Sequence, residues 1–194
     1  MYMKIPLRYQ ITEYDCATVS LENVISYLFD REEITISIIK TIYLYTLDCY
    51  DDKGKLGHGG TSIEAINFII HWLYEYSTIN KFDIRCRHCL KNEVVEENIR
   101  KCIDKKGCVL LRTYLSGEHY VLVTDIDEEF VYLWDPYYLD ANYFNKNDGI
   151  NIIYSEPFKY NRRVNLKIFN SYLKNDYALG PLIKRECVLF WKKL

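Results

Sequence analysis

"CVLLRTYLSGEHYVLVTDIDEEFVYLWDP", residues 108–136, decides the fold. It contains three runs, 108–115, 119–126 and 130–135, rich in β-branched and aromatic residues and separated by the turns "SGE" and "DEE". Runs of this kind joined by such short connections predict consecutive antiparallel strands. Upstream the apolar spacing changes from alternation to helical period. Leu21, Val24, Ile25 and Leu28 predict a helix from Asp15, its N-cap, to about Phe29. A second helix is expected over 35–47, and a third after a capping box of Thr61 and Glu64, with Ile63, Ile66, Ile70 and Leu73 inward and an end near Tyr76. A fourth covers 92–106 with Val95, Ile99, Cys102 and Ile103 inward and Gly107 as its stop.

Beyond the meander comes a loop rich in Tyr and Asn. "INIIYS" (150–155) then reads as a strand, "NLKIFNSYLK" (165–174) as a short helix and "KRECVLFW" (184–191) as a closing strand. Helices first and strands afterwards predict an α+β fold rather than a doubly wound sheet. At 194 residues one domain is expected, helical over about 1–107 and mainly sheet over about 108–194.

Apolar residues make up 49% of the chain and charged residues 27%, a globular composition. The net charge of −2 and the scattered Lys and Arg residues point away from nucleic acid and from anionic membranes, and "NRRVNLK" (161–167) reads as solvated surface. Neither a secretory n-region with an apolar h-region nor a membrane-spanning run stands out, so a cytoplasmic location is expected. Seven cysteines, an odd number, then read as reduced thiols.

Cys16 is the thiol with chemical promise. At a helix start it faces unsatisfied N–H groups and the positive end of the helix dipole, which favour thiolate. His119 opens the second strand of the meander and Asp135 ends the third, so pairing through the "DEE" turn makes them neighbours. An aspartate accepting one imidazole N–H orients the ring while the other nitrogen faces sulfur. Gln10, six residues before Cys16, could donate to an oxyanion alongside the Cys16 backbone N–H, if the intervening turn folds it back.

"QITEYDCATVSLENVISYLF" together with "HYVLVTDIDEEFVYLWDP" resembles the peptidases that remove double-glycine leaders from bacteriocins, family thirty-nine of the cysteine peptidases, within the papain-like superfamily. The resemblance covers two blocks, about residues 5–30 and 108–137, and rests on two joint spacings, six from Gln to Cys and sixteen from His to Asp. It implies a papain-like fold, amino-terminal helices on an antiparallel sheet, with Cys16 as nucleophile, His119 as base, Asp135 as orienting acid and Gln10 at the oxyanion hole. It also implies a peptide substrate with small residues such as Gly-Gly before the cut, and no metal or organic cofactor. Two departures stand out. Ala17 follows the cysteine where the family usually has Gly, and no membrane segment follows, although relatives are often fused to an exporter.

Other readings compete. Cys16 alone is most simply a small buried hydrophobe, His119 a strand-edge histidine and Asp135 a turn residue before Pro136. "CRHC" (86–89) with Cys102 and Cys108 could supply four zinc ligands, though one CxxC is a weak signal. "GKLGHGGTS" (54–62) lacks a P-loop ending and reads as a cleft rim or a plain connection. Trp134 could wall the cleft or belong to the core. At the level of function, the same thioester could be intercepted by an amine, making an acyl transferase, or the site could only bind peptide.

Overall fold

A computed structural model describes residues 3–144 and 149–193; part of the Tyr- and Asn-rich loop, 145–148, lies outside the described residues. In chain order the elements are α1 Cys16–Leu28, α2 Ile36–Tyr45, α3 Ile63–Asn80, β1 Ile84–Leu90, α4 Glu96–Asp104, β2 Cys108–Tyr114, β3 Glu118–Ile126, β4 Phe130–Trp134, β5 Ile150–Ile152, β6 Arg162–Asn165, α5 Leu166–Phe169 and β7 Glu186–Lys192. The architecture is α+β, as the residue pattern predicts. The strands form one antiparallel sheet in the order β1-β7-β2-β3-β4-β6-β5.

The predicted meander is its centre. β2 is buried along its whole length and β3 along most of it, because both faces are covered. On one face α1 crosses β2 and β3, and Leu21, Val24 and Ile25 pack with Ile66, Ile69 and Leu73 of α3 against Leu110, Leu122 and Phe190. On the other face Ile99 and Cys102 of α4 and Phe169 of α5 cover Val109, Leu111, Val121 and Val131. The fourth helix, grouped in the sequence with the first three, therefore packs on the opposite side of the sheet.

Several boundaries shift for identifiable reasons. Ser62, not Thr61, caps α3, its Oγ accepting from the Ala65 N–H at 3.0 Å, while Thr61 Oγ1 accepts from the Leu47 N–H at 3.1 Å. The helix continues four residues past Tyr76, to Asn80, where Lys81 takes φ +55°. Val94 rather than Val95 is fully buried beside α4.

"IRCRHCL" forms β1, a strand inside the stretch read as helical. Its alternation puts Cys86, with Cys108, on the side of α1 and α3, and Cys89, with Cys102, on the α4 side. A sheet therefore stands between the two pairs, which corrects the four-thiolate reading: these sulfurs cannot converge on one ion.

Gly107 ends the fourth helix for a reason other than the one its position suggests. The left-handed residue is Lys106, at φ +61°, whereas a β-carbon on Gly107 would overlap the Phe190 carbonyl and the Cys102 sulfur. Backbone cannot yield there as a flexible side chain would. Gly107→Ala is expected to destabilise the fold by about 1–3 kcal/mol, read as a lower denaturant midpoint with an unchanged m-value.

Candidate active site

Sheet pairing builds the acid–base pair. Leu122 lies opposite Trp134 in the β3–β4 register, so the beginning of β3 runs beside the residue that follows β4. His119 Nε2 meets Asp135 Oδ1 at 2.7 Å, and both side chains are buried, Asp135 completely. Asp135 leaves Nδ1 as the free ring nitrogen, and Cys16 is close enough to the ring to contribute to the shift of its pKa. Cys16 itself is half-buried at the first position of α1.

The helix start is open to an incoming group. Asp15 does not cap it: the carboxylate turns back to accept from Ile11 N (3.2 Å), Thr12 N (2.9 Å) and Thr12 Oγ1 (2.7 Å), so it orders the preceding turn. The first-turn N–H groups beside Cys16 consequently have no side-chain cap. Gln10 is drawn back to the same region, its backbone N–H donating to the Pro136 carbonyl at 2.8 Å. Its side-chain Nε2 donates to the Thr12 carbonyl at 2.7 Å, and Oε1 is buried without a partner. One amide hydrogen thus holds the turn and the other is not used by it.

Burial opposes charge on His119, but the Asp135 carboxylate beside it, with further help from Cys16, outweighs burial and raises its pKa to about 10. Burial likewise pushes the Asp135 carboxyl up; His119, Arg162 and Tyr177 override it and leave the pKa below the usual value. Both groups are therefore ionised at neutral pH.

The residues that hold Asp135 were not singled out in the sequence. Tyr177 Oη donates to Oδ2 at 2.6 Å, and the Tyr137 N–H donates to Oδ1 at 2.7 Å. Asn161 grips the backbone of Asp135 through its own amide, Asp135 N donating to Oδ1 at 2.7 Å and Nδ2 donating to Asp135 O at 2.8 Å. Arg162 lies behind them with no exposed surface, donating to Tyr177 Oη (3.0 Å), Asn161 O (2.9 Å) and Tyr137 O (2.8 Å). This corrects the reading of "NRRVNLK" as solvated surface. The available signal was alternation: Arg162 and Val164 both point inward from β6. Tyr177 has φ +60°, a costly conformation for a bulky residue, and that backbone carries the hydroxyl inward to Asp135.

Cys16, His119, Glu13, Glu118, Tyr137 and Asp140 are among the residues around a cleft of about 520 Å³. Trp134 is not one of them: it is core, with Nε1 donating to the Arg8 carbonyl at 2.9 Å. The glycine loop leans on the turn before Cys16, where His58 packs at a tilt against Tyr14 with ring centroids 4.6 Å apart, and it is not among the residues lining the cleft.

No family model matches the sequence, and no curated protein matches it. Among solved structures the chain is similar to a double glycine motif protease from an AMS/PCAT transporter, determined in complex with the leader peptide, at 11% identity and a TM-score of 0.47, over 99% of this chain and 94% of that one. A likeness of that size says nothing about individual residues.

Because the folded His119 value lies above the ordinary 6.5 and that of Asp135 below the ordinary 3.8, the pair stabilises the fold fully between about pH 3.8 and 6.5; the contribution fades as pH rises towards about 10 and is lost again in acid as Asp135 takes up a proton. NMR titration should find His119 protonated at pH 8. Asp135→Asn should lower its midpoint by about two units, and Tyr177→Phe should not lower it but should cost about 1–3 kcal/mol of stability by leaving Oδ2 short of a donor. A His119 midpoint near 6.5 in the unaltered protein would contradict the assignment.

Proposed function

We propose that the chain is a cysteine peptidase, a single papain-like domain that hydrolyses a peptide bond through a thioester on Cys16. The observation that carries this reading is the meeting, at one cleft, of a helix-start thiol with an imidazole held by a fully buried carboxylate. Cysteine in core packing needs no such partner, and a binding site for peptide has no use for a charged pair that costs desolvation to bury.

An imidazolium beside a thiol favours the thiolate, whose sulfur attacks the scissile carbonyl carbon. The carbonyl electrons move to oxygen, where the uncapped N–H groups of the α1 start and the unused Gln10 amide hydrogen are suited to stabilise them. As the tetrahedral intermediate collapses the carbon–nitrogen bond breaks, and His119 gives its proton to the leaving amine. Water, deprotonated by His119, then attacks the thioester, releases the acid and restores the thiolate–imidazolium pair. Asp135 keeps the ring oriented throughout, and Arg162 and Tyr177 keep Asp135 in place.

The substrate proposed is a polypeptide with small residues, such as Gly-Gly, before the cut, in keeping with the family resemblance of the two sequence blocks. No helix among the described residues is long and apolar enough to cross a membrane.

Alkylation provides a direct test of the thiol. Burial, reinforced by Asp48, raises the pKa of Cys49, and burial raises that of Cys86 to about 11. Cys16 is therefore expected to react with iodoacetamide at pH 7 at least about tenfold faster than either. Cleavage of a Gly-Gly-containing peptide library should vanish in Cys16→Ala, and fall about 100- to 1,000-fold in kcat with Gln10→Ala at little change in KM. Equal alkylation of the three thiols, or cleavage persisting in Cys16→Ala, would overturn the reading.

A further inference from the structure

A groove of about 900 Å³ lies away from the cleft, along the free edge of β1. Registers locate it: Arg85 of β1 is level with Trp191 of β7, and Phe190 is level with Cys108, the start of β2. His119 pairs with Thr113 near the other end of β2. The groove and the proposed catalytic cleft therefore occupy opposite ends of the sheet.

The edge has open backbone groups. Lys193 N donates to Asp83 O at 2.7 Å and Lys91 N to Arg185 O at 2.9 Å, so the odd-numbered residues between them exchange hydrogen bonds with β7. Cys86, His88 and Leu90 accordingly turn their N–H and C=O groups away from the sheet. β1 ends the strand order, and no described strand pairs with it on that side.

The groove also has a sign. Lys81, Arg85, Arg87 and Lys193 contribute to its lining, against one lining carboxylate, Asp83; Arg87 also holds Glu93 at 2.6 Å, an exposed pair that is worth little and that an incoming carboxylate can replace. Lys105 and Lys192, the latter paired with Glu33, flank an adjoining hollow that shares Arg85, Trp191 and Lys193. This face is basic on a chain whose net charge is −2. Arg85 and Arg87, both exposed, project from the same side of the strand two residues apart, the spacing of cross-strand partners on an added strand.

We propose that β1 is a docking edge for a separate protein, whose extended acidic segment adds to the sheet as an eighth strand with carboxylates at alternate positions opposite Arg85 and Arg87. Backbone bonds to Cys86, His88 and Leu90 supply affinity, and the two arginines supply selectivity. Charges on an edge can serve merely to repel other strands. A guard needs no groove walled by Tyr74 and Trp191 beside it. A second copy of this chain fits less well, since antiparallel pairing of β1 with itself brings a second Arg85 and Arg87 to the same edge and, centred on Cys86, sets them against each other.

Amide hydrogen exchange on the full chain tests the proposal with two synthetic peptides, one alternating Thr and Glu, the other Thr and Lys. At a concentration about ten times its Kd, the Thr-Glu peptide should slow exchange about tenfold at Cys86, His88 and Leu90, and less at high salt. The Thr-Lys peptide should not. Arg85→Glu combined with Arg87→Glu should reverse the preference, and Arg85→Gln with Arg87→Gln, a milder change at exposed positions, should weaken Thr-Glu binding without reversing it. Protection by both peptides alike, by neither, or protection that grows with protein concentration in the absence of peptide, which would mark self-pairing, overturns it. None of these readouts depends on cleavage.

Discussion

A carboxylate with no exposed surface must be compensated or it will not stay charged, and Asp135 is such a group. Its compensation comes from separate parts of the chain: His119 on β3, Tyr137 just beyond β4, Asn161 and Arg162 at the entry to β6, and Tyr177 in the loop before β7. Removing Asp135 would leave the buried Arg162 guanidinium and the buried His119 ring without their counter-charge, a loss that commonly costs about 3–5 kcal/mol for a broken buried pair. The same contacts that make the carboxylate tolerable also fix the ring that faces Cys16. Stability and site geometry here are one constraint.

β3 is secured on its other side as well. Tyr120, the residue after His119, donates to Glu186 at 2.6 Å, and Glu186 is fully buried with His88 at 2.8 Å and Arg112 at 3.5 Å. Successive residues of a strand point to opposite faces, so His119 and Tyr120 tie the start of β3 to a buried acid in each layer. Ser20 of α1 adds a bond to the Tyr120 carbonyl at 3.0 Å, which locks the helix bearing Cys16 to the strand bearing His119. Mounted on two rigid elements that are pinned to each other, the proposed nucleophile and base would need little reorganisation to react.

Legibility in the sequence followed burial type. Where cores are built from Leu, Ile and Val, as in α1 and the strands from 108 to 134, periodicity reads directly. The Cys16, His119 and Asp135 positions could then be placed from strand pairing and a helix start alone. Elements whose inward positions are polar or sulfur-bearing stayed hidden. β1 carries Arg, Cys and His in alternation and looked like a ligand motif, and β6 carries a fully buried Arg162 and looked like surface. A buried arginine is legible only through its partners, and Tyr177 and Asp135 are fifteen and twenty-seven residues away from it in sequence. Tyr177 offered less still, since its inward aim depends on a backbone conformation that its side chain does not favour.

Whether Cys16 acts as a nucleophile under the control of His119 is decided most directly by covalent trapping. A peptidyl acyloxymethyl ketone ending in small residues, added at neutral pH and followed by peptide-level mass spectrometry, should place one adduct on Cys16, with its formation strongly slowed in His119→Ala. Adducts spread over Cys49 and Cys86, or undiminished labelling of Cys16 in the His119 variant, would show that the thiol and the imidazole do not work together.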